Sequence, residues 1–249
     1  MTDGSSGLRR QLRQWLAPIS ATPLHPQWQA ARCGRRRNAW IEERAFGLVL
    51  DIGCADGQIR QGLRNIEGYI GLDYPITTKL YGTRPNIFGD AKALAFAENS
   101  FDTVLLLDVV EHLSQPEAAL REACRVLKFS GRLLLTIPFA YPLHDQPHDF
   151  QRFTVHGLEY RLREAGFETA VIVEATDGID ATAGCLSMTL AQGAIDAISS
   201  RGWRMVMVPI AIALIPIVNL LGWLLSKLLP ARNMMPAAYY VVAHRRGIP

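Results

Sequence analysis

Five aspartates, Asp51, Asp56, Asp73, Asp90 and Asp108, stand at the ends of short apolar runs or in the loops that follow them. In an open α/β sheet those positions face the ligand. Five carboxylates around one cleft would repel a pyrophosphate and attract a cation, and their oxygens would accept hydrogen bonds from ribose hydroxyls and an adenine amino group. The first aspartate opens the turn Val49-Leu50-Asp51-Ile52-Gly53-Cys54-Ala55-Asp56-Gly57, whose glycines would let backbone approach a ligand before a helix begins. A dinucleotide fingerprint, G-x-G-x-x-G counted from Gly53, fails twice, at Ala55 and Gln58. The competing reading assigns each aspartate separately to a turn or a helix cap. It is harder to extend to five in register.

A second constellation lies in the polar stretch 138–154, which holds His144, His148 and Asp149, two of the chain's six histidines among them. Histidine titrates near neutrality and a neighbouring carboxylate fixes its tautomer, so this loop suits a general base or a group that orients a nucleophilic hydroxyl. The bland alternative is a structural loop whose polar groups satisfy backbone. Glu111 and His112, after the fourth apolar run, could line the same cleft, but a helix-start acid and a packed histidine would explain them nearly as well. His144 and His148 therefore rank first.

Positioning these residues requires strands, and the apolar runs Leu48–Ile52, Tyr69–Leu72, Phe101–Leu107, Arg132–Ile137 and Thr169–Val173 predict them. Helix signals lie between. Ser114-x-x-Glu117 is a capping box ahead of Ala119, Leu120, Ala123, Cys124 and Leu127, with Gly131 as the stop. A second helix starts after Thr154, carries Val155, Leu158, Leu162 and Ala165 on one stripe, and ends at Gly166. Alternating strands and helices predict a doubly wound, mostly parallel α/β sheet.

S-adenosylmethionine is a cationic ligand carrying ribose and adenine, and the motifs together resemble the class I S-adenosylmethionine-dependent methyltransferases, in particular the type 11 branch. Leu50 to Gly57 is similar to that family's first motif, with Ala55 in place of the usual middle glycine. Gly71-Leu72-Asp73 resembles the second-strand end, Gly89-Asp90-Ala91 the adenine-reading stretch, and Asp108-Val109-Val110-Glu111-His112 the fourth-strand exit. The resemblance implies a Rossmann-like, seven-stranded sheet with an apolar helical insertion before its last strand. It also implies cofactor contacts from Asp51, Gly53, Cys54, Ala55, Gly57, Asp73, Tyr74, Asp90, Ala91 and Asp108, while the loop chemistry above gives His144, His148 and Asp149 as the catalytic candidates, with no metal expected. Arg125 to Gly131 departs from the family's Lys-Pro-Gly-Gly turn, which touches no cofactor.

Twenty-six basic against 23 acidic residues give a net charge of +3, so nucleic acid is not an expected partner. Cys33, Cys54, Cys124 and Cys185 form no CxxC pair, and no secretory signal is visible, which points to a reducing cytoplasm. Residues 1–46 form a basic arm in which Leu8, Leu12, Trp15 and Leu16 interleave with Arg9, Arg10 and Arg13 as in a surface-lying helix. Residues 47–174 plus 236–246 form the expected methyltransferase core, and 175–235 an apolar cap or membrane-associated insertion. Within the latter, Met205 to Ser226 is uncharged over 22 residues and long enough to span a bilayer. Pro209, Pro216 and Gly222 interrupt it, and Ala238 to His244 must return as the last, antiparallel strand. A kinked re-entrant or interfacial hairpin is expected, the alternative being a soluble cap. These features describe a membrane-peripheral methyltransferase at the inner face of the membrane, acting on a small-molecule, lipid-linked or amphipathic acceptor, with O-methylation favoured. A membrane-tethered scaffold that keeps the cofactor fold, and a nucleotide-sugar or NAD enzyme, are the rivals.

Overall fold

The computed structural model describes residues 15–77, 82, 84–200 and 202–247. Residues 1–14 of the basic arm, with Leu8, Arg9, Arg10, Leu12 and Arg13, lie outside them. The chain forms two compact units, one of residues 36–139, 143–174 and 238–249, the other of 1–35, 140–142 and 175–237.

The first unit is a seven-stranded sheet in the order β3-β2-β1-β4-β5-β7-β6. Its strands are β1 Gly47–Ile52, β2 Ile66–Asp73, β3 Ile87–Phe88, β4 Phe101–Leu107, β5 Leu127–Pro138, β6 Phe167–Glu174 and β7 Ala238–Arg245. The first five are parallel neighbours, and β7 enters antiparallel between β5 and β6. Alternation within each central strand splits the core between two faces. Leu50, Leu106, Leu133 and Leu135 pack with helices α2 (Pro116–Val126) and α3 (Val155–Glu164) on one face. Val49, Leu105 and Leu134 pack with Ile41 of helix α1 (Trp28–Glu42) on the other. Both faces are covered, so the inner strands read as continuous apolar runs.

Several local expectations needed correction. Ser114 caps nothing: α2 starts two residues later, behind Gln115, because Pro116 supplies a preset φ and has no N–H to satisfy. Gly131 is not a stop either. It lies inside β5, where a Cβ would stand 2.9 Å from the Asp102 carbonyl oxygen, so the close approach of β4 requires glycine. Thr154 does cap α3, accepting the Gly157 N–H at 3.1 Å, and Gly166 follows with φ +99°. The two-residue β3 gave no periodic signal.

In the second unit, helices α4 (Gly178–Ser200) and α5 (Val208–Leu228) pair antiparallel. A Cβ on Gly222 would fall 2.2 Å from that of Ala183, so glycine here marks helix contact and not a break. The expected kinked hairpin within 205–226 is instead one helix whose partner is α4. Pro209 sits in its first turn, where its missing N–H costs no intrahelical hydrogen bond, and the helix continues through Pro216. Buried Asn219 fastens this pair, accepting from Ser187 Oγ at 2.8 Å and donating to the carbonyls of Pro23 at 2.7 Å and His25 at 3.0 Å.

Candidate functional site

At the carboxyl end of β1 the chain turns sharply, and three residues take left-handed backbone: Gly53 (φ 76°), Ala55 (φ 47°) and Gly57 (φ 64°). A side chain at Gly53 would come within 2.4 Å of Val109 Cγ2, which excludes any other residue without rearrangement. The Gly53 and Cys54 amides donate to the Leu72 carbonyl, tying the turn to the end of β2. Ala55 holds the position at which the family resemblance led one to expect glycine, and its conformational cost is offset by its N–H donating to Asp73 Oδ2 at 2.8 Å. The helix expected after Gly57 is only a 3-10 segment, Gln58–Gly62, since β2 starts four residues later.

The five aspartates do not present five uncompensated charges. Asp51 is buried and accepts the Tyr69 hydroxyl at 2.5 Å; burial pushes its carboxyl up to about 6, with nearby Asp73 adding to the rise and the Tyr69 bond and Arg37 opposing it. The Tyr69 hydroxyl is raised well above its usual range by burial and by Asp51. Asp73, also buried, uses Oδ2 for the Ala55 amide and Oδ1 for the Tyr74 amide at 2.7 Å. Asp56 turns outward and caps Gln58, as the bland reading foresaw. Asp90 accepts the Lys92 amide and lies 3.6 Å from its ammonium, while neighbouring Ala91 is buried in the core. Asp108, at φ 55°, pairs with Arg37 of α1 at 2.5 Å and accepts from Thr136 Oγ1 at 2.9 Å. The Cys54 thiol is pushed up to about 12, by burial first and then by Asp51 and Asp73, so it is a packing residue.

Tyr74, Pro75, Ile76, Phe88, Gly89 and Asp90 line an open pocket of about 420 Å³. Apolar and aromatic walls with one carboxylate at the rim suit a flat base that carries an amino donor. The pocket, the glycine turn and the Asp51–Asp73 pair lie along the ends of adjoining strands β1, β2 and β3, so the residues present fit a nucleoside bearing a cationic group.

Beyond β4, the short 3-10 turn Val110–His112 carries Glu111 into the interior. Glu111 is fully buried, neither carboxylate oxygen has a hydrogen-bond partner among the described residues, and burial, with Asp108 adding to it, pushes its carboxyl up to about 8. Its Oε1 lies 3.8 Å from His112 Nε2 and 3.9 Å from His144 Nε2, and the two imidazoles stack edge to face at 4.8 Å. Asp149 orients His144. Its Oδ2 accepts the His144 amide at 3.1 Å and lies 3.3 Å from Nδ1, and Arg152 grips both of its oxygens, holding the carboxyl down to about 2. His148 contributes its carbonyl, 3.0 Å from His112 Nδ1, while its own side is exposed. The loop therefore brings His144 and Asp149 together with Glu111 and His112, and leaves the His148 ring outside that group. Sequence reasoning ranked Glu111 and His112 below His144 and His148 and gave no role to Arg37, Thr136 or Arg152. Only the spacing Asp108-x-x-Glu111-His112 hinted at the cluster.

The sheet order with its antiparallel β7 and the nucleoside-fitting strand ends together define a class I S-adenosylmethionine-dependent methyltransferase fold. Residues 50–135 match the family model of the type 11 methyltransferase domain, which implies S-adenosylmethionine as cofactor. The chain is 28% identical over 196 residues to a ubiquinone biosynthesis O-methyltransferase of Pseudomonas aeruginosa, covering 66% of this chain and 82% of that one. It is 36% identical over 121 residues to a demethylmenaquinone methyltransferase of Renibacterium salmoninarum (46% and 48%) and 27% over 154 residues to a ubiquinone/menaquinone biosynthesis C-methyltransferase of Roseobacter denitrificans (55% and 59%). It thus spans about half the length of these last two. Among solved structures, an S-adenosylmethionine-dependent methyltransferase of Archaeoglobus fulgidus superposes with a TM-score of 0.51 at 17% identity, over 87% of this chain and 94% of that one. The [4+2]-cyclase SpnF superposes with 0.56 at 19% identity, over 95% of each. A cyclase on the same scaffold shows that the fold does not dictate the chemistry.

Proposed function

We propose that the protein transfers a methyl group from S-adenosylmethionine to a hydroxyl oxygen of a lipid-linked or amphipathic acceptor at the cytoplasmic face of a membrane. The observation that carries the reaction type is the buried Glu111 carboxylate between two imidazoles, at the end of the strand next to the cofactor turn. When bound, S-adenosylmethionine supplies an electrophilic methyl carbon on a sulfonium. The new C–O bond forms as the C–S bond breaks, and the hydroxyl proton must go to the protein or to solvent. Asp149, itself clamped by Arg152, takes the Nδ1 side of His144 and so directs Nε2 toward Glu111. A group so oriented can hold the hydroxyl and receive its proton, while positioning supplies much of the remaining rate. The relative named as a ubiquinone biosynthesis O-methyltransferase supports an oxygen acceptor.

The membrane part of the reading rests on α5. The segment Trp203–Leu228 is apolar and long enough to cross a bilayer by length and composition, a test that core helices of soluble proteins also pass. Much of its surface is exposed, with Ile210, Ile212, Ile217, Leu220, Leu221 and Leu224 each about half accessible or more. Lipid would cover that face at lower cost than water.

The test is release of S-adenosylhomocysteine during incubation with a lipid extract, followed by isolation of the methylated lipid. His144→Gln should lower turnover at least tenfold with cofactor affinity unchanged, and His148→Gln should change it little. Cofactor binding without turnover on any lipid fraction would return the protein to the scaffold reading, and a product methylated on nitrogen or carbon would end the O-methylation reading. Failure to sediment with anionic phospholipid vesicles would remove the membrane from it.

A further inference from the structure

We propose that Glu111, His112 and His144 form a binding site for one divalent transition-metal ion. One ligand atom from each of the three residues lies within 4.8 Å of the others, and both oxygens of the fully buried Glu111 lack a hydrogen-bond partner among the described residues. A buried carboxylate without donors is costly, and a cation is the counter-charge that removes the cost. The imidazoles are already set for ligation. His112 Nδ1 faces a carbonyl, which can only accept, so the proton is on Nδ1 and Nε2 carries the lone pair. His144 Nδ1 faces the Asp149 carboxylate, with the same result. This is the outer-shell arrangement that orients metal-ligating histidines, in which the second ring nitrogen donates to a carbonyl or carboxylate.

The spacing suits an ion. Metal–nitrogen and metal–oxygen bonds of about 2.0–2.2 Å place two ligand atoms at most about 4.2 Å apart, and the Glu111 oxygen stands 3.8 and 3.9 Å from the two Nε2 atoms. Small side-chain rotations close the remaining gap. Two imidazoles and one carboxylate favour zinc, iron, cobalt or nickel over magnesium and leave coordination positions open. Asp145 Oδ2, half-exposed and 3.9 Å from His112 Nε2, borders the open side. This inference rests on the methyl-transfer reading for its purpose: an acceptor hydroxyl in an open position would ionise more readily, shedding its proton to solvent before the C–O bond forms. The imidazoles then serve as ligands, with Asp149 and Arg152 as positioning residues.

The experiment is titration of the EDTA-treated, dialysed full-length protein with zinc chloride by calorimetry, and with cobalt chloride by visible absorption. We expect one ion per chain, cobalt bands of a nitrogen- and oxygen-ligated ion, and affinity at least tenfold weaker in Glu111→Gln and in His144→Gln. Glu111→Gln puts a neutral amide of nearly the same shape in place of the buried carboxyl and should leave the fold intact, which circular dichroism checks. No saturable binding, or equal binding by wild type and Glu111→Gln, overturns the site and means that Glu111 is held as a neutral acid. Methyl transfer from S-adenosylmethionine, assayed with and without EDTA, separates the two ideas. Transfer that EDTA leaves untouched, together with absent metal binding, overturns the site and spares the function. Saturable binding with no transfer on any lipid spares the site and overturns the function.

Discussion

Replacing Asp73 by Asn tests the architecture of the cofactor turn with the smallest change in shape. The buried carboxylate accepts two backbone N–H groups, from Ala55 at 2.8 Å and from Tyr74 at 2.7 Å, so a single side chain holds the glycine turn against the end of β2. An amide keeps one acceptor oxygen and loses the other along with the charge. A hydrogen bond to a charged group contributes about 1.5–3 kcal/mol, so one lost bond should weaken any equilibrium that needs the ordered turn roughly 10- to 150-fold. Ala55 is the residue that suffers, because its left-handed backbone has no glycine to relax it. Calorimetry with S-adenosylhomocysteine on wild type and Asp73→Asn measures the affinity, and thermal unfolding of both measures the share that falls on the fold. The same energy, appearing as stability, would lower Tm by roughly 3–12 °C. A folded Asp73→Asn protein with wild-type affinity and wild-type Tm would refute the argument.

Three further outcomes follow from particular contacts. Asp51 is raised to about 6 in the folded protein from an ordinary value near 3.8, so the folded state binds the extra proton between about pH 4 and 6. Stability contributed by this group is therefore full below pH 4 and falls as pH rises to 6, by on the order of 3 kcal/mol; Asp51→Asn should flatten that part of a urea-unfolding profile, and an unchanged slope would contradict its burial. Gly53→Ala should abolish cofactor binding or reduce it more than tenfold, because the added methyl meets Val109 at 2.4 Å and φ is +76°; normal binding would show that the turn rearranges freely. Asn219→Ala strands the Ser187 hydroxyl and two carbonyls, at about 3–5 kcal/mol in sum, so denaturant unfolding or limited proteolysis of the helical unit should show marked loosening, and unaltered resistance would dispose of the buried junction.

The sheet was legible because burial on both faces forces each central strand to be apolar throughout: Phe101–Leu107 was read with its true bounds, and β1, β2, β5, β6 and β7 were found with shifted ends. What escaped was short or depended on contact. β3 has two residues and no period to detect. The capping box at Ser114 was overruled by Pro116 one turn start later, and Gly131 has a strand role that only the approach of Asp102 reveals. In α5, the proline and glycine punctuation suggested breaks, yet Gly222 answers to Ala183 of a helix more than thirty residues away.

From sequence alone came the acid at each strand end, the glycine turn that rejects a dinucleotide, and hence the charge and shape of the ligand, since those properties depend on residue type and on position along a strand. The tertiary structure decided which carboxylates are already engaged and which one is stranded. Asp56 serves its own turn, Asp108 meets Arg37, and Glu111 is enclosed between two histidines without a donor among the described residues. Burial and orientation are properties of residues distant in the chain brought within a few ångströms, and no spacing in a linear sequence encodes which polar group will be left without a partner.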